Sequence, residues 1–366
     1  MQALSCKKSF STLQSKFPSK PWLQDRRRKT AGIFLILIMG CLMAFFVGLG
    51  LGAIRITPLQ CLAILVSKLG ITLPIKFQTE QTFVLCSIRL PRILAGGMVG
   101  AGLGLAGAAM QGLFRNPLAD PGLVGVSSGA AIGAVLILVL GPTFLATAGL
   151  FVPWAAFCGA LSVGWITHRL AQREGRILIS TLLLSGIAVN ALCGAGIGLL
   201  TYLATDAQLR NITFWSLGSL GGITWNSIGW LALFILPAAG GLFNQRRTLN
   251  ILLLGEAEAG HLGVPIERGK RIILFCTALI VGASVSFAGM IGFVGLVVPH
   301  LLRLWGGPDH RFLLPSSAIL GALLLVIADT TARLIVIPSE LPIGIVTAFC
   351  GAPFFLWLLK KEGGRI

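Results

Sequence analysis

The stretch Ala31-Gly-Ile-Phe-Leu-Ile-Leu-Ile-Met-Gly-Cys-Leu-Met-Ala-Phe-Phe-Val-Gly-Leu-Gly-Leu-Gly-Ala53 is an apolar run of more than twenty residues without a charged side chain. About 20 such residues make one helical crossing of a bilayer. A basic lead precedes it, carrying Lys7, Lys8, Lys16, Lys20, Arg26, Arg27, Arg28 and Lys29. A secretory leader has an apolar core of about 7–15 residues followed by a small-residue cleavage site. This run is longer and lacks that site, so it reads as a retained first spanning helix.

Similar runs recur as far as Leu359. Ten candidate spans begin near Ala31, Leu90, Leu123, Leu150, Ile177, Trp225, Ile272, Gly292, Phe312 and Pro342. Of the 366 residues, 55% are hydrophobic and 11% charged, with mean hydropathy +0.89. Soluble domains carry roughly 25% charged residues. The expectation is an all-α polytopic membrane protein of about ten transmembrane helices. The 47 glycines agree, because membrane helices use small residues to approach closely. The eight cysteines fall mostly inside apolar runs, with no CxxC, and read as small buried hydrophobes. The organisation expected is a basic extension over 1–30, a helical body over 31–361 and a tail over 362–366.

A net charge of +17 would suggest nucleic acid in a soluble protein. Here the cations sit in short stretches between apolar segments, which points to topology. With the N-terminus cytoplasmic and alternating spans, 22 of the 29 Lys and Arg fall on the cytoplasmic side and 7 on the other. That asymmetry follows the positive-inside rule, and an even span number places both termini in the cytoplasm. Two stretches resemble one another: Gly100 to Ala130, and Val281 to Ala322. Each opens on a Gly-rich helix, passes a Pro and Arg loop and closes on small residues. Their opposite orientations suggest a weak inverted repeat, a common transporter device.

Catalytic chemistry is not written in the chain. It has no Gly-x4-Gly-Lys-[Ser/Thr] phosphate loop, no HExxH and no Gly-x-Ser-x-Gly. No catalytic residue and no metal ligand is assigned. Asp329 is the best candidate for an ion-coupling carboxylate, as a secondary carrier would need. Arg333 follows at i+4, and a local ion pair is the simpler reading. Scarce buried charge suggests that energy comes from outside the chain. Arg89, Arg92 and Arg333 fall at outer span ends, against the charge trend. They read either as an exposed docking ring for an acidic partner or as side chains snorkelling to lipid phosphate. Residues 249–263 are too polar to span, yet carry apolar residues at helical spacing. They read as a short amphipathic helix that docks a cytoplasmic partner or anchors at the interface. Gly96, Gly100 and Gly104, and Gly194, Gly196 and Gly198, mark helices that either pack closely or line a pathway.

Several strings carry a resemblance. They are Arg89-Leu-Pro-Arg92, the segment Gln111-Gly-Leu-Phe-Arg-Asn-Pro-Leu-Ala-Asp-Pro-Gly-Leu-Val-Gly-Val-Ser-Ser-Gly-Ala130, Phe214-Trp-Ser-Leu-Gly-Ser219, Leu254-Gly-Glu256, Gly292-Phe-Val-Gly-Leu-Val-Val-Pro-His300, Asp309-His-Arg-Phe-Leu-Leu-Pro-Ser316, Ala328-Asp329 and Glu340-Leu-Pro-Ile-Gly-Ile-Val-Thr-Ala348. In this order they resemble the FecCD family of ABC importer permeases, which includes vitamin B12, ferric-siderophore and hemin permeases. The resemblance implies a bacterial inner-membrane subunit that forms a homodimer with the pathway on its two-fold axis. It implies two cytoplasmic ATPase subunits, which hold ATP and Mg, and a periplasmic substrate-binding protein. No cofactor is expected on the chain itself. By position, Arg89, Arg92 and Arg333 look like arginines that meet glutamates of the binding protein. Leu254, Gly255, Glu256, Ala259, Leu262 and Gly263 look like the coupling segment on the ATPase. Asn116, Leu118, Ser180 and Thr181 align with cytoplasmic gates. The strings around 112–130 and 213–222 are most similar to hemin permeases, so heme is the expected substrate. A ferric siderophore or cobalamin is the alternative.

Overall fold

The structure, a computed structural model, describes residues 21–363 except 53, 69, 72, 145, 146, 337 and 338. Helix α1 spans Pro21–Gly50, α2 Pro58–Ser67 and α3 Thr79–Phe83. A π-helical turn, Val84–Arg89, runs straight into α4, Leu90–Phe114. After a 3-10 turn at Pro121–Val124 come α5, Val126–Phe144, and α6, Val152–Ala171. A minimal hairpin pairs β1, Gln172–Arg173, antiparallel to β2, Arg176–Ile177. Then follow α7, Ile179–Tyr202; α8, Asp206–Leu217; and α9, Trp225–Asn244. Two short helices, α10 at Arg246–Leu252 and α11 at Glu256–His261, lead to α12, Ile266–Ala288. The last elements are α13, Val294–Gly306; α14, His310–Ile335; and α15, Ile343–Gly363.

Local chemistry explains the boundaries. Arg115 ends α4 in the left-handed region (φ 51°), and Asn116-Pro117 cannot readily continue a helix. Asp120 accepts the Gly122 N–H and caps the next turn. Its carboxyl titrates above the ordinary range because it is buried, with the Gly122 N–H opposing that shift. Thr57 with Gln60, Thr205 with Gln208 and Thr224 with Ser227 close reciprocal caps at the starts of α2, α8 and α9.

Helix α4 is the hub, packed on α14, α12, α13 and α9. Its glycines make this possible. A Cβ on Gly100 would overlap the Gly321 carbonyl on α14, and one on Gly321 would overlap the Gly100 carbonyl. Gly104 faces the Ser317 carbonyl and Gly107 the Gly295 carbonyl equally closely. Backbones meet without side chains between them, which maximises van der Waals contact where lipid supplies no hydrophobic drive. Gly129 and Gly159 lock α5 to α6 in the same manner. The two stretches that resemble one another thus press against each other through their small residues. Gly194 and Gly198 on α7 differ, since nothing lies within 4 Å of a Cβ there. Gly196 between them packs closely on the Ile132 side chain of α5, so α7 carries both readings of glycine while Gly96, Gly100 and Gly104 of α4 serve packing.

Eight helical runs among the described residues are long and apolar enough to cross a membrane: α1 from Arg28, the Thr79–Phe114 run, α5, α6, α7, α9, α12 and α14. The remaining two expected spans fall on α13 and α15. Helix α13 has 13 residues and is about 20 Å long. The chain before it, Gly289–Phe293, is not helical. Three features differ from expectation. Helix α1 begins at Pro21, ten residues before the apolar run, because Arg26 to Lys29 propagate a helix well. Helices α2 and α8, too short or too polar to register as spans, were not anticipated. The 249–263 segment is two short helices rather than one, broken where Gly255 takes φ 114°.

Candidate functional site

One end of the bundle is organised by buried charge. Helix α1 stops at Gly50, leaving carbonyls without intrahelical partners. Arg89 Nη1 donates to the Leu49 carbonyl at 2.7 Å and the Gly50 carbonyl at 3.1 Å, and Nη2 donates to the Ile54 carbonyl. Arg333 Nη2 donates to the Gly48 carbonyl at 3.1 Å. Two cations therefore sit where the helix dipole is negative. The third guanidinium, Arg92, joins α4 to α14 and to the loop before α15. Its Nε donates to Asp329 Oδ1 at 2.9 Å, and its Nη1 reaches both Glu340 oxygens at 2.8 Å. Arg333 Nε lies 3.2 Å from Asp329 Oδ2, completing the i,i+4 pair expected from the sequence.

This geometry corrects one expectation. The three arginines are not exposed: Arg89 and Arg92 are 4% and 5% accessible, and the Arg333 side chain 8%. Carbonyls and carboxylates of the same chain accept from Arg89 and Arg92, and the Gly48 carbonyl and the Thr330 hydroxyl accept from Arg333 Nη2. A bare guanidinium facing solvent or lipid phosphate would have left those helix-end carbonyls and Asp329 unmatched inside the protein. Asp329 is equally committed, lying between two arginines. Glu340, whose side chain is 49% accessible, is the group of the cluster that reaches the surface.

The opposite end holds the other expected residues. Leu254 and Leu262 point outward, at 65% and 59% accessible, while Ala259 between them is fully buried. Gly255 and Gly263 both take positive φ, 114° and 70°, and bracket α11. Glu256, the first residue of α11, forms an ion pair with Lys270 Nζ at 2.8 Å. Lys270 is only 1% accessible. Its ammonium also donates to Glu267 at 3.1 Å and to the Ile177 carbonyl at 3.0 Å. Glu267 in turn accepts the Ile177 N–H at 2.8 Å. One buried lysine thus joins α11, α12 and the strand that leads into α7. The Glu267-to-Lys270 spacing was visible in the sequence as an i,i+3 pair; the links to Glu256 and Ile177 were not.

The four residues expected at gates occupy two elements at this end. Asn116 is exposed, and its Oδ1 accepts the Leu118 N–H at 2.9 Å, shaping the turn after α4. Ser180 is exposed and Thr181 half-buried in the first turn of α7, directly after the Lys270-bound Ile177. Asn190 Nδ2 donates to the Gly122 carbonyl at 3.2 Å, tying α7 to the same loop. Helix α7 is otherwise thinly covered: Leu184, Ile187, Leu192, Leu199 and Tyr202 are all exposed.

A cavity of about 640 Å³ lies where the chain before α13 is unwound, lined by Met290, Gly292, Phe293, Gly344, Ala348 and Phe349 among others. Non-helical backbone at membrane depth is tolerated where protein covers it or water reaches it.

Closely packed spans, a non-helical segment beside a cavity and a charged lock at one end define a multi-pass membrane permease. The chain matches the FecCD transport family over residues 38–361. It is 48% identical over 279 residues to the hemin transport system permease protein HmuU of Yersinia pestis, covering 75% of this chain and 83% of that protein. It is 44% identical over 291 residues to the vitamin B12 import system permease protein BtuC of Escherichia coli O127:H6, covering 78% and 86%. A solved structure described as an inward-facing conformation of a metal-chelate type ABC transporter superposes with a TM-score of 0.77 at 30% identity, covering 90% of this chain and 99% of that one. The chain belongs to the FecCD transport family and is the permease of an ABC importer. It is a multi-pass protein, homologous to bacterial inner-membrane permeases that work with ATPase and binding-protein partners.

Proposed function

We propose that this permease translocates heme, received from a periplasmic binding protein and released to the cytoplasm. The observation that carries the reading is the 48% identity to a hemin permease over three quarters of the chain. A second reading, cobalamin, is favoured by the 44% identity to BtuC; a ferric siderophore is the third. Two copies of the chain form the pathway, with the thinly covered face of α7 turned toward it. Two ATPase subunits, which carry ATP and Mg, engage Leu254 and Leu262. The Lys270 ion pairs pass movement of α11 to Ser180 and Thr181, while Asn116 and Leu118 complete the gate. The binding protein docks on the opposite end. There the buried Arg89, Arg92 and Arg333 act by fixing the surface loops and Glu340 rather than by direct contact.

An ion-coupled carrier is the competing class. The capture of Asp329 by Arg92 and Arg333 argues against it, since each carboxylate oxygen lies within ion-pair distance of a guanidinium that opposes uptake of a proton or cation. The test is uptake into proteoliposomes holding the assembled complex, with heme, a ferric siderophore and cobalamin compared at equal loading of their binding proteins. ATP-dependent uptake of heme alone is expected. Preferential uptake of cobalamin would reverse the substrate assignment, and uptake by the chain without an ATPase would reverse the class.

A further inference from the structure

A second cavity, of about 410 Å³, opens between α6 and α12. Leu161, Gly164 and Trp165 form one wall and Leu274, Phe275 and Ala278 the other, with Val124 and Val126 at the floor. These walls are apolar throughout. Its two polar lining residues, His168 and Arg271, both sit at the end of the spans where α6 enters the β-hairpin.

That end is strongly cationic. Arg271 donates to the Gly175 carbonyl at 3.3 Å but has no carboxylate partner among the described residues. The nearest acid on its own helix, Glu267, is already held by Lys270 and the Ile177 N–H. Arg169 stacks over the Trp165 ring, 5.2 Å from its centroid, and it too has no ion pair among the described residues. His168 Nδ1 is buried and lacks a hydrogen-bond partner among them. Trp165, at 60% accessible, bridges the apolar crevice and the cationic rim, as interfacial tryptophans do at headgroup level.

We propose that this crevice is a binding site for one anionic phospholipid, with an acyl chain between α6 and α12 and the phosphate held by Arg271, Arg169 and His168. Charge complementarity selects the occupant. A zwitterionic lipid would fill the crevice equally well but would bring its own cation to the rim. A soluble anion would satisfy the rim and leave the apolar walls to any lipid. Basic pockets between spans hold anionic headgroups for this reason. The inference needs only that the chain lies in a membrane; it is independent of the transported substrate.

The test uses the full chain in mixed micelles and reads Trp165 fluorescence, with the Trp165→Phe protein as the background to subtract. Brominated phosphatidylglycerol and brominated phosphatidylcholine are titrated as quenchers. Each guanidinium near the headgroup contributes about a fivefold preference for the anionic lipid, and the pair about thirtyfold. The Arg169→Gln/Arg271→Gln protein is expected to lose that preference while still being quenched. Gly164→Leu, which fills the crevice and keeps both cations, is expected to abolish site quenching by either lipid. It serves as the independent variant if the double substitution fails to fold. Equal quenching by the two lipids in the unmodified chain would overturn the proposal. So would a preference that survives the double substitution, or displacement of the lipid by millimolar inorganic phosphate.

Discussion

Asp329→Asn tests the charged lock most directly. The substitution keeps the shape of the side chain and removes its charge. Asp329 is 2% accessible and takes part in two ion pairs, with Arg92 at 2.9 Å and Arg333 at 3.2 Å. Removing one partner of a buried pair costs about 3–5 kcal/mol, because the other charge is left uncompensated. Here both arginines keep some support. Arg92 retains Glu340, and Arg333 retains the Gly48 carbonyl. The expected loss is therefore at the lower end, about 3 kcal/mol. At about 2–4 °C per kcal/mol for a chain of this order of size, Tm falls by about 6–12 °C. The assay is thermal unfolding in detergent, followed by labelling of the buried thiols Cys61, Cys193 and Cys276. Adding Arg333→Met to Asp329→Asn should recover part of the loss, since an apolar replacement of a buried pair is tolerated better than half of one. A Tm within about 1 °C of the unmodified protein, for the single substitution, would refute the claim that these charges are held together inside the protein. A full loss of uptake with unchanged Tm would instead revive the ion-coupled carrier.

Glu340→Gln, at the half-exposed edge of the same cluster, should cost at most about 1 kcal/mol, and a weakened affinity for the binding protein would locate docking on that loop. Gly100→Ala drives a methyl into the Gly321 carbonyl and should destabilise by about 1–3 kcal/mol in the same thermal assay; Gly194→Ala, which meets open space, should leave the isolated chain within about 0.5 kcal/mol. Lys270→Met strips the counter-charge from Glu256 and Glu267, and faster hydrogen exchange at Ile177 and the first turn of α7 is the expected outcome; protection equal to that of the unmodified chain would disconnect α11 from the gate. Leu254→Asp with Leu262→Asp should leave folding intact and reduce copurification of the ATPase, each apolar anchor being worth about 2 kcal/mol at an interface.

Sequence reading reached what is local. Apolar runs of about 20 residues gave the long spans, because lipid contact and backbone satisfaction both act over one helix. The Asp329–Arg333 pair was legible because i and i+4 share a helix face. Arg92 finds Asp329 across 237 positions and Glu340 across 248, and no periodicity announces such a partner. The arginines therefore looked like surface groups on charge statistics, although the unfilled carbonyls at the end of α1 gave them a reason to be inside. Gly100 could be read as a packing residue, but its partner Gly321 lay beyond the reach of spacing. The break at Gly255 was harder still, because Leu249 to Gly263 keeps a helical pattern on both sides of it.

The brevity of α13 bears on the thickness of the barrier beside it. A helix of about 20 Å falls roughly a third short of the hydrocarbon thickness of about 30 Å. The missing length is made up by Gly289–Phe293, of which Met290, Gly292 and Phe293 line the 640 Å³ cavity. Beside that segment the helical part of the barrier is thinner than the bilayer around it. If the proposed pathway runs beside it, a solute crosses a shorter barrier there, and the proposed gate residues of α7 have only the remainder to seal.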